Sequence, residues 1–317
     1  VSWVGDVYKR QGESGRRVIS FARVYTGRGA ETLKRKKKIT PYLLILPSMF
    51  FLVLFIYYPA VKTLFKSLFL INSGNMPVKY VGLGNYRKLF SDETFLKSIV
   101  VTFEYALVVI PVTILMGYLL ALISASGRRL SPVYELMYAM PMAVSMSVAS
   151  VIFKLLLNGN LGLVNHVFHL NIMWFTDKKY ALWAIIIIGI WMGLGLTYIF
   201  LLSAVRSVSE ELLEAATAEG AGMWQKVRYI YTPMISPTLF YLFCVNVGSA
   251  LMMSGPVIIL TQGGPDSSTS TIMYYMYQKG FYVYNYGLSY SAAVVGFIIG
   301  FTVILISFIW EKRGVHY

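Results

Sequence analysis

Apolar positions along the chain gather into six long runs, separated by shorter polar segments. The runs cover residues 41–65, 98–123, 133–157, 181–205, 236–260 and 290–310. A helix needs about 20 apolar residues to cross the hydrocarbon layer, so each run is long enough. The pattern predicts an all-α integral membrane protein with six transmembrane helices. The fifth run has the weakest pattern, because Pro233, Pro237 and Pro256 punctuate it. Basic residues then set the orientation, since they concentrate on the cytoplasmic side of membrane helices. The cluster at 30–38, Arg128, Arg129, Arg206, Lys226, Arg228, Lys312 and Arg313 all flank one set of helix ends. This predicts that both termini and the loop between helices 4 and 5 are cytoplasmic. Lys66, Lys79, Arg87, Lys88 and Lys97 sit in the first loop of the opposite set. The bias therefore rests on the N-terminal cluster, the second loop and the tail. The expected organisation is a basic arm at 1–40, a transmembrane domain at 41–310 that includes a cytoplasmic loop at 206–233, and a tail at 311–317.

Composition agrees. Of 317 residues, 57% are hydrophobic and 13% charged, against about 25% charged in soluble domains. Mean hydropathy is +0.62. Twenty-four Tyr and six Trp suit a protein anchored at two water–lipid interfaces. Cys244, the one cysteine, has no partner for an internal disulfide and reads as a packing residue. The net charge is +14, and the arm at 1–40 carries eleven Lys and Arg against three acids. The positive-inside rule explains that arm without a nucleic acid, so the bilayer is the expected partner of this charge. Residues 1–12 continue into no pattern and resemble translated sequencing-adapter sequence, so they are set aside.

One polar stretch stands apart: "EAATAEGAGMWQKVRYIYTP", Glu214 to Pro233. Ser207 and Glu210 fit a capping box, and Glu211 adds favourable charge to the first turn. Leu212, Ala215, Ala216 and Glu219 follow at helical spacing, and Gly220 stops the helix. A second short helix carries Trp224, Val227 and Tyr231, and Pro233 ends it. The result is a helix–turn–helix with a small-residue surface and one large aromatic. It could lie on lipid as an amphipathic helix. Four acids, Glu210, Glu211, Glu214 and Glu219, oppose that, and docking to a protein fits better.

This segment resembles the signature loop of ABC-importer permeases: EAA, three residues, Gly, nine residues, Ile, one residue, Leu, Pro. Glu214, Ala215, Ala216, Gly220, Ile230 and Pro233 fall in register, and Thr232 stands where the pattern has Leu. "YVGLGNYRKLF" (80–90) and "ILTQGGPDSSTSTIMYYMYQKGF" (259–281) are similar to segments of the carbohydrate-uptake branch, the maltose-type and glycerol-phosphate-type permeases. The resemblance runs from about Pro41 to Trp310. It implies that the loop, with Trp224, is a coupling helix seated in a groove of a cytoplasmic ATPase. It also implies a second permease subunit, most simply in a heterodimer, a dimer of ATPase subunits and an extracytoplasmic solute-binding protein. The setting would be a bacterial plasma membrane. No GxxxxGK[ST] phosphate loop occurs. This chain is therefore expected to be a non-enzymatic subunit without a cofactor of its own, with ATP and magnesium held by the ATPase.

Ionisable residues within spans are Glu104, Glu135 and Lys154, each of which also reads as an interface or helix-contact residue. A lining this poor in charge suits a neutral, hydroxyl-rich solute. The resemblance places a substrate pathway at Met142, Ser145, Met146, Trp191, Gly193, Asn246 and Ser249. Gly189 with Gly193, and Gly296 with Gly300, also fit simple close helix packing. His166 and His169 lack acidic or Cys companions, so no metal is expected. The function expected is half of an importer pore for a sugar or oligosaccharide. A glycerol-3-phosphate permease and a stand-alone secondary transporter are the rival readings.

Overall fold

The computed structural model describes residues 41–126 and 131–314. The N-terminal arm, Arg128, Arg129 and residues 315–317 lie outside the described residues. The chain divides into two units, 1–62 and 63–317, each taken by itself. The described part of the first is most of helix α1 (Pro41–Ser67), whose end belongs to the second. In α1 a π-helical turn spans Val53–Tyr57, with Tyr58 between it and Pro59. Proline has no N–H to continue the regular ladder, and a wider turn absorbs the gap. Between Tyr42 and Val61 the large apolar side chains of α1 are exposed, except half-buried Leu52.

In the second unit a short hairpin follows α1. Strand β1 (Phe69–Ile71) pairs antiparallel with β2 (Pro77–Tyr80), with Phe69 opposite Tyr80. It is the one departure from an all-helical pattern among the described residues. Buried Lys66 fixes the hairpin by donating to the Asn75 carbonyl at 2.7 Å and to Asn75 Oδ1 at 2.9 Å. Helix α2 (Gly84–Phe90) leads into α3 (Glu93–Ala125). Asp92 caps α3 by accepting from the Thr94 N–H at 2.9 Å. At 33 residues, α3 is about 50 Å long, more than the hydrocarbon layer needs. Helix α7 (Lys178–Arg206) is capped the same way by Asp177 and packs along α3. These two helices are the axis of the unit. A core of Tyr105, Val109, Ile185, Ile186, Val247 and Val257 joins them to α10 (Ser236–Leu251). The last helix is α12 (Tyr286–Gly314).

Two of the six expected spans are not straight. The third is a pair: α4 (Ser131–Ala139) with a 3-10 turn to Ala143, then α5 (Met146–Leu156), bent by 110°. Pro141 starts the 3-10 turn, and Ser145 caps α5 by accepting from the Val148 N–H at 3.3 Å. The expected continuous run at 133–157 is thus corrected to a broken one. The fifth span is shorter than 236–260, because α10 ends at Leu251 and Val257–Thr261 form a separate π-helical turn after Pro256. Short helices α6 (Leu163–Val167) and α11 (Ile272–Tyr277) lie at the same end of the unit as the hairpin. There Asp92 joins α3 to α11. Its Oδ2 accepts from the Tyr275 hydroxyl at 2.8 Å and lies 3.1 Å from Lys279 Nζ. Among the described residues four helices are long and apolar enough to cross a membrane, or up to six if each bent pair counts as one.

Candidate functional site

Two places concentrate polar chemistry. The first is the loop after α7. Helix α8 (Glu210–Ala218) begins after Ser209, whose side chain makes no capping hydrogen bond. The expected capping box is not formed, since Ser207 Oγ turns back to the Ala204 carbonyl at 2.7 Å. The end of α8 follows the expectation closely. Gly220 has φ +82°, its N–H donates to the Thr217 carbonyl at 3.0 Å, and the Ala221 N–H donates to the Ala216 carbonyl at 2.9 Å. These two bonds are a Schellman stop, and its left-handed residue costs least as glycine. A Cβ at Gly220 would meet open space, so the backbone conformation alone selects the residue.

The second loop helix is α9 (Met223–Met234), which meets α10 at 71°. Gln225 Oε1 accepts from the Gly222 N–H at 2.7 Å, closing its first turn. Lys226 Nζ donates to Thr217 Oγ1 at 2.6 Å and ties α9 to α8. Glu214, Ala215 and Trp224 are exposed, Trp224 to 74%. Ile230 instead packs against a core containing Tyr198, Leu201, Val205 and Ile235, and Pro233 is half-buried. The loop thus has an inner, anchoring side and an outer side of small residues with one indole. Beside it, Arg206 forks onto Glu135, with Nη2–Oε1 at 2.6 Å and Nη1–Oε2 at 3.3 Å. Ser131 also donates to Glu135, at 2.5 Å. Glu135 is therefore a helix-contact residue that joins α4 to α7.

The second place is a cavity of about 660 Å³ between α3, α5, α7 and α10. Of the expected pathway residues, Met146, Gly193, Asn246 and Ser249 line it. Met142, Ser145 and Trp191 do not. Met142 and Ser145 are exposed near the break between α4 and α5, and Trp191 meets Phe153 edge-to-face at 5.4 Å. Tyr105, Thr197 and Met253 are among the other lining residues, and no charged side chain contributes. Asn246 Nδ2 donates to the Leu242 carbonyl at 2.8 Å and to Thr197 Oγ1 at 3.3 Å. Close by, Thr113 Oγ1 is buried without a hydrogen-bond partner. A Cβ added at Gly193 would lie 3.1 Å from the Thr113 methyl and 3.5 Å from Asn246 Oδ1, so a larger residue would crowd this polar cluster. Gly189 admits the Tyr105 ring, which a Cβ would displace. Glu104 and Lys154 are exposed and lie outside this lining.

Known proteins resemble this chain. The family described as binding-protein-dependent transport system inner membrane component matches residues 110–313. An sn-glycerol-3-phosphate transport system permease protein, UgpA, of Pectobacterium atrosepticum is 31% identical over 87% of this chain and 95% of its own length. The probable ABC transporter permease protein YurN of Bacillus subtilis is 28% identical, covering 88% and 98%. The chain belongs to the binding-protein-dependent permease family. It is a multi-pass inner-membrane subunit of an ABC importer, with a transport role. A solved bacterial ABC transporter involved in the import of alginate has the same fold, with a TM-score of 0.77 at 21% identity over 89% of this chain and 99% of that one.

Reading the permease sequence alone missed Tyr105, Thr113 and Thr197. Each is one polar residue in a long apolar helix, and only the faces on which α7 and α10 approach α3 bring them together. Gly189 and Gly193 were the one signal in the chain that pointed to this approach.

Proposed function

We propose that this permease forms one half of the pore for a neutral polyhydroxylated solute, a sugar or oligosaccharide. A second, different permease would supply the other half. A solute-binding protein would deliver from outside, and a dimer of ATPase subunits holding ATP and magnesium would bind the cytoplasmic loop. Both termini would then be cytoplasmic. The observation that carries the solute class is the cavity itself. It presents hydroxyl, amide, thioether and aromatic groups and no cation. Asn246 Oδ1, in that lining, is suited to accept a hydrogen bond from a sugar hydroxyl. In the loop, Glu214, Ala215, Ala216 and Trp224 would face the ATPase groove, with the Gly220 turn holding the two short helices rigid. Ile230 and Pro233 would carry its motion inward.

Relatives named as sn-glycerol-3-phosphate permeases favour a second reading, in which the solute is a phosphorylated polyol. A phosphate calls for Arg or Lys at close range, and the cation would then come from the other half of the pore. The test is ATP hydrolysis by the reconstituted complex with candidate binding proteins. Stimulation by a malto-oligosaccharide supports the first reading. Stimulation by glycerol 3-phosphate and by no sugar replaces it with the second. Uptake into vesicles that lack any ATPase would instead show a stand-alone transporter.

A further inference from the structure

Thr232 breaks the loop pattern, with a hydroxyl where leucine is expected, and the structure gives that hydroxyl two partners. Thr232 Oγ1 donates to the Val227 carbonyl at 2.7 Å, across the π-helical turn Val227–Tyr231. It lies 3.1 Å from the Tyr118 hydroxyl of α3. With its own proton committed to Val227, Thr232 accepts, and Tyr118 donates. This chain therefore has a directed hydroxyl relay, Tyr118 to Thr232 to Val227, from a membrane helix into the second loop helix. A leucine could pack in the same place but could not carry either bond.

Two features of α3 give the relay a use. Tyr105 and Val109, on the same helix, line the cavity. Between them and Tyr118 stands Pro111, inside the helix. A proline there leaves the Leu107 carbonyl without its regular donor and lowers the cost of bending. The part of α3 after Pro111 can thus swing with the loop relative to the part that lines the cavity.

We infer that Tyr118 and Thr232 are positioning residues that transmit displacement of the loop to the far half of α3, making α3 the helix through which this subunit's cavity responds. The inference rests on the reading of the loop as the ATPase coupling element. Apolar packing of Ile230 and Tyr231 joins the loop to the same core. The relay adds a directional constraint that packing alone lacks, because a hydrogen bond weakens steeply with misalignment.

Amide hydrogen exchange of the assembled transporter, with and without ATP plus orthovanadate, tests this. In the wild type, nucleotide should change exchange both at residues 223–234 and at residues 112–125. In Tyr118→Phe and in Thr232→Val, the loop should still respond. The response of 112–125 should shrink by about two- to ten-fold, the range one hydrogen bond commands. The double variant should be no worse than either single one. A merely structural role would shift exchange equally with and without nucleotide, and that result overturns the proposal. So does a full response of 112–125 in both variants, or no response there in the wild type. Gly220→Val separates the two levels. If that complex assembles, responds and imports normally, the coupling reading fails. If it is defective while Tyr118→Phe responds fully, the relay alone fails.

Discussion

The loop at 206–233 and the cavity between α3, α7 and α10 are both polar interruptions of an apolar protein, and they are built on different length scales. In the loop the shaping bonds join residues a few positions apart: Gly220 to Thr217, Ala221 to Ala216, Gly222 to Gln225. In the cavity they join residues far apart in the chain, such as Asn246 with Thr197. The loop's polar groups meet water and can be exposed without penalty. Those of the cavity sit where an unpaired group is costly, so glycines and small side chains must bring partners together. A site of the first kind should tolerate changes to its surroundings and fail when its own turn is altered. A site of the second kind should fail when a distant helix face changes.

The most damaging expected change is Gly189→Leu, which forces a side chain into Tyr105 and separates α3 from α7. Overpacking of this kind costs about 1–3 kcal/mol or more. The purified protein should melt well below the wild type, and a wild-type melting temperature would mean that the helices part without cost. Next is Gly220→Val. Its Cβ meets open space, so the cost is the left-handed backbone, about 1 kcal/mol. Melting should move only slightly, while ATP-driven uptake is lost and the ATPase is retained more weakly in a pull-down. Normal assembly and uptake would break the contrast. Asn246→Leu keeps the volume but removes the amide, and uptake should fall about ten-fold, the effect of about 1.4 kcal/mol, with loop docking unchanged. Retained uptake would remove Asn246 from the pathway.

A change outside both sites concerns Asp92, a long-range tie exposed enough to titrate. Partial burial pushes its carboxyl up. The Tyr275 hydroxyl, Lys279 and the Thr94 N–H outweigh that and hold it below the ordinary 3.8. A folded value below the unfolded one means the contribution is present at neutral pH. It is lost as pH falls through the lowered range, below about 4. Asp92→Asn should lower stability at pH 7 by about 1.5 kcal/mol, at the low end for hydrogen bonds to a charged group. It should also flatten the loss of stability as pH falls below about 4. An unchanged acid profile would show that the tie carries no net stabilisation. Asp266, which bridges Lys178 at 2.6 Å and Lys97 at 3.8 Å in the open, is also held low, by Lys178 first. Its Asn variant should melt like the wild type, because exposed pairs contribute little.

The loop was the most legible part of the molecule. Its glycine stop and the existence of its second helix follow from the sequence; the start lies at Ser209 in place of Ser207, and the second helix runs through Pro233 to Met234 before the chain turns at Ile235. Span positions were legible too, because about 20 apolar residues in a row leave a helix few other options. The break in the third span leaves a local trace in the sequence. Pro141 starts the short turn, and Ser145, which the resemblance assigns to the pathway, caps a new helix.

By itself the sequence determined what depends on neighbours within a few residues: helical stretches, the Gly220 turn, and a chain that must live in a membrane. Only the tertiary structure decided which faces meet. It closed Asn246 onto Thr197, left Thr113 unpaired beside Gly193, sent Trp191 to Phe153, and gave Thr232 a partner in Tyr118, 114 positions away. The physical reason is that a hydroxyl in an apolar helix reads the same whether it returns to its own carbonyl, faces a cavity or crosses to another helix. Its role is fixed by what packs against it.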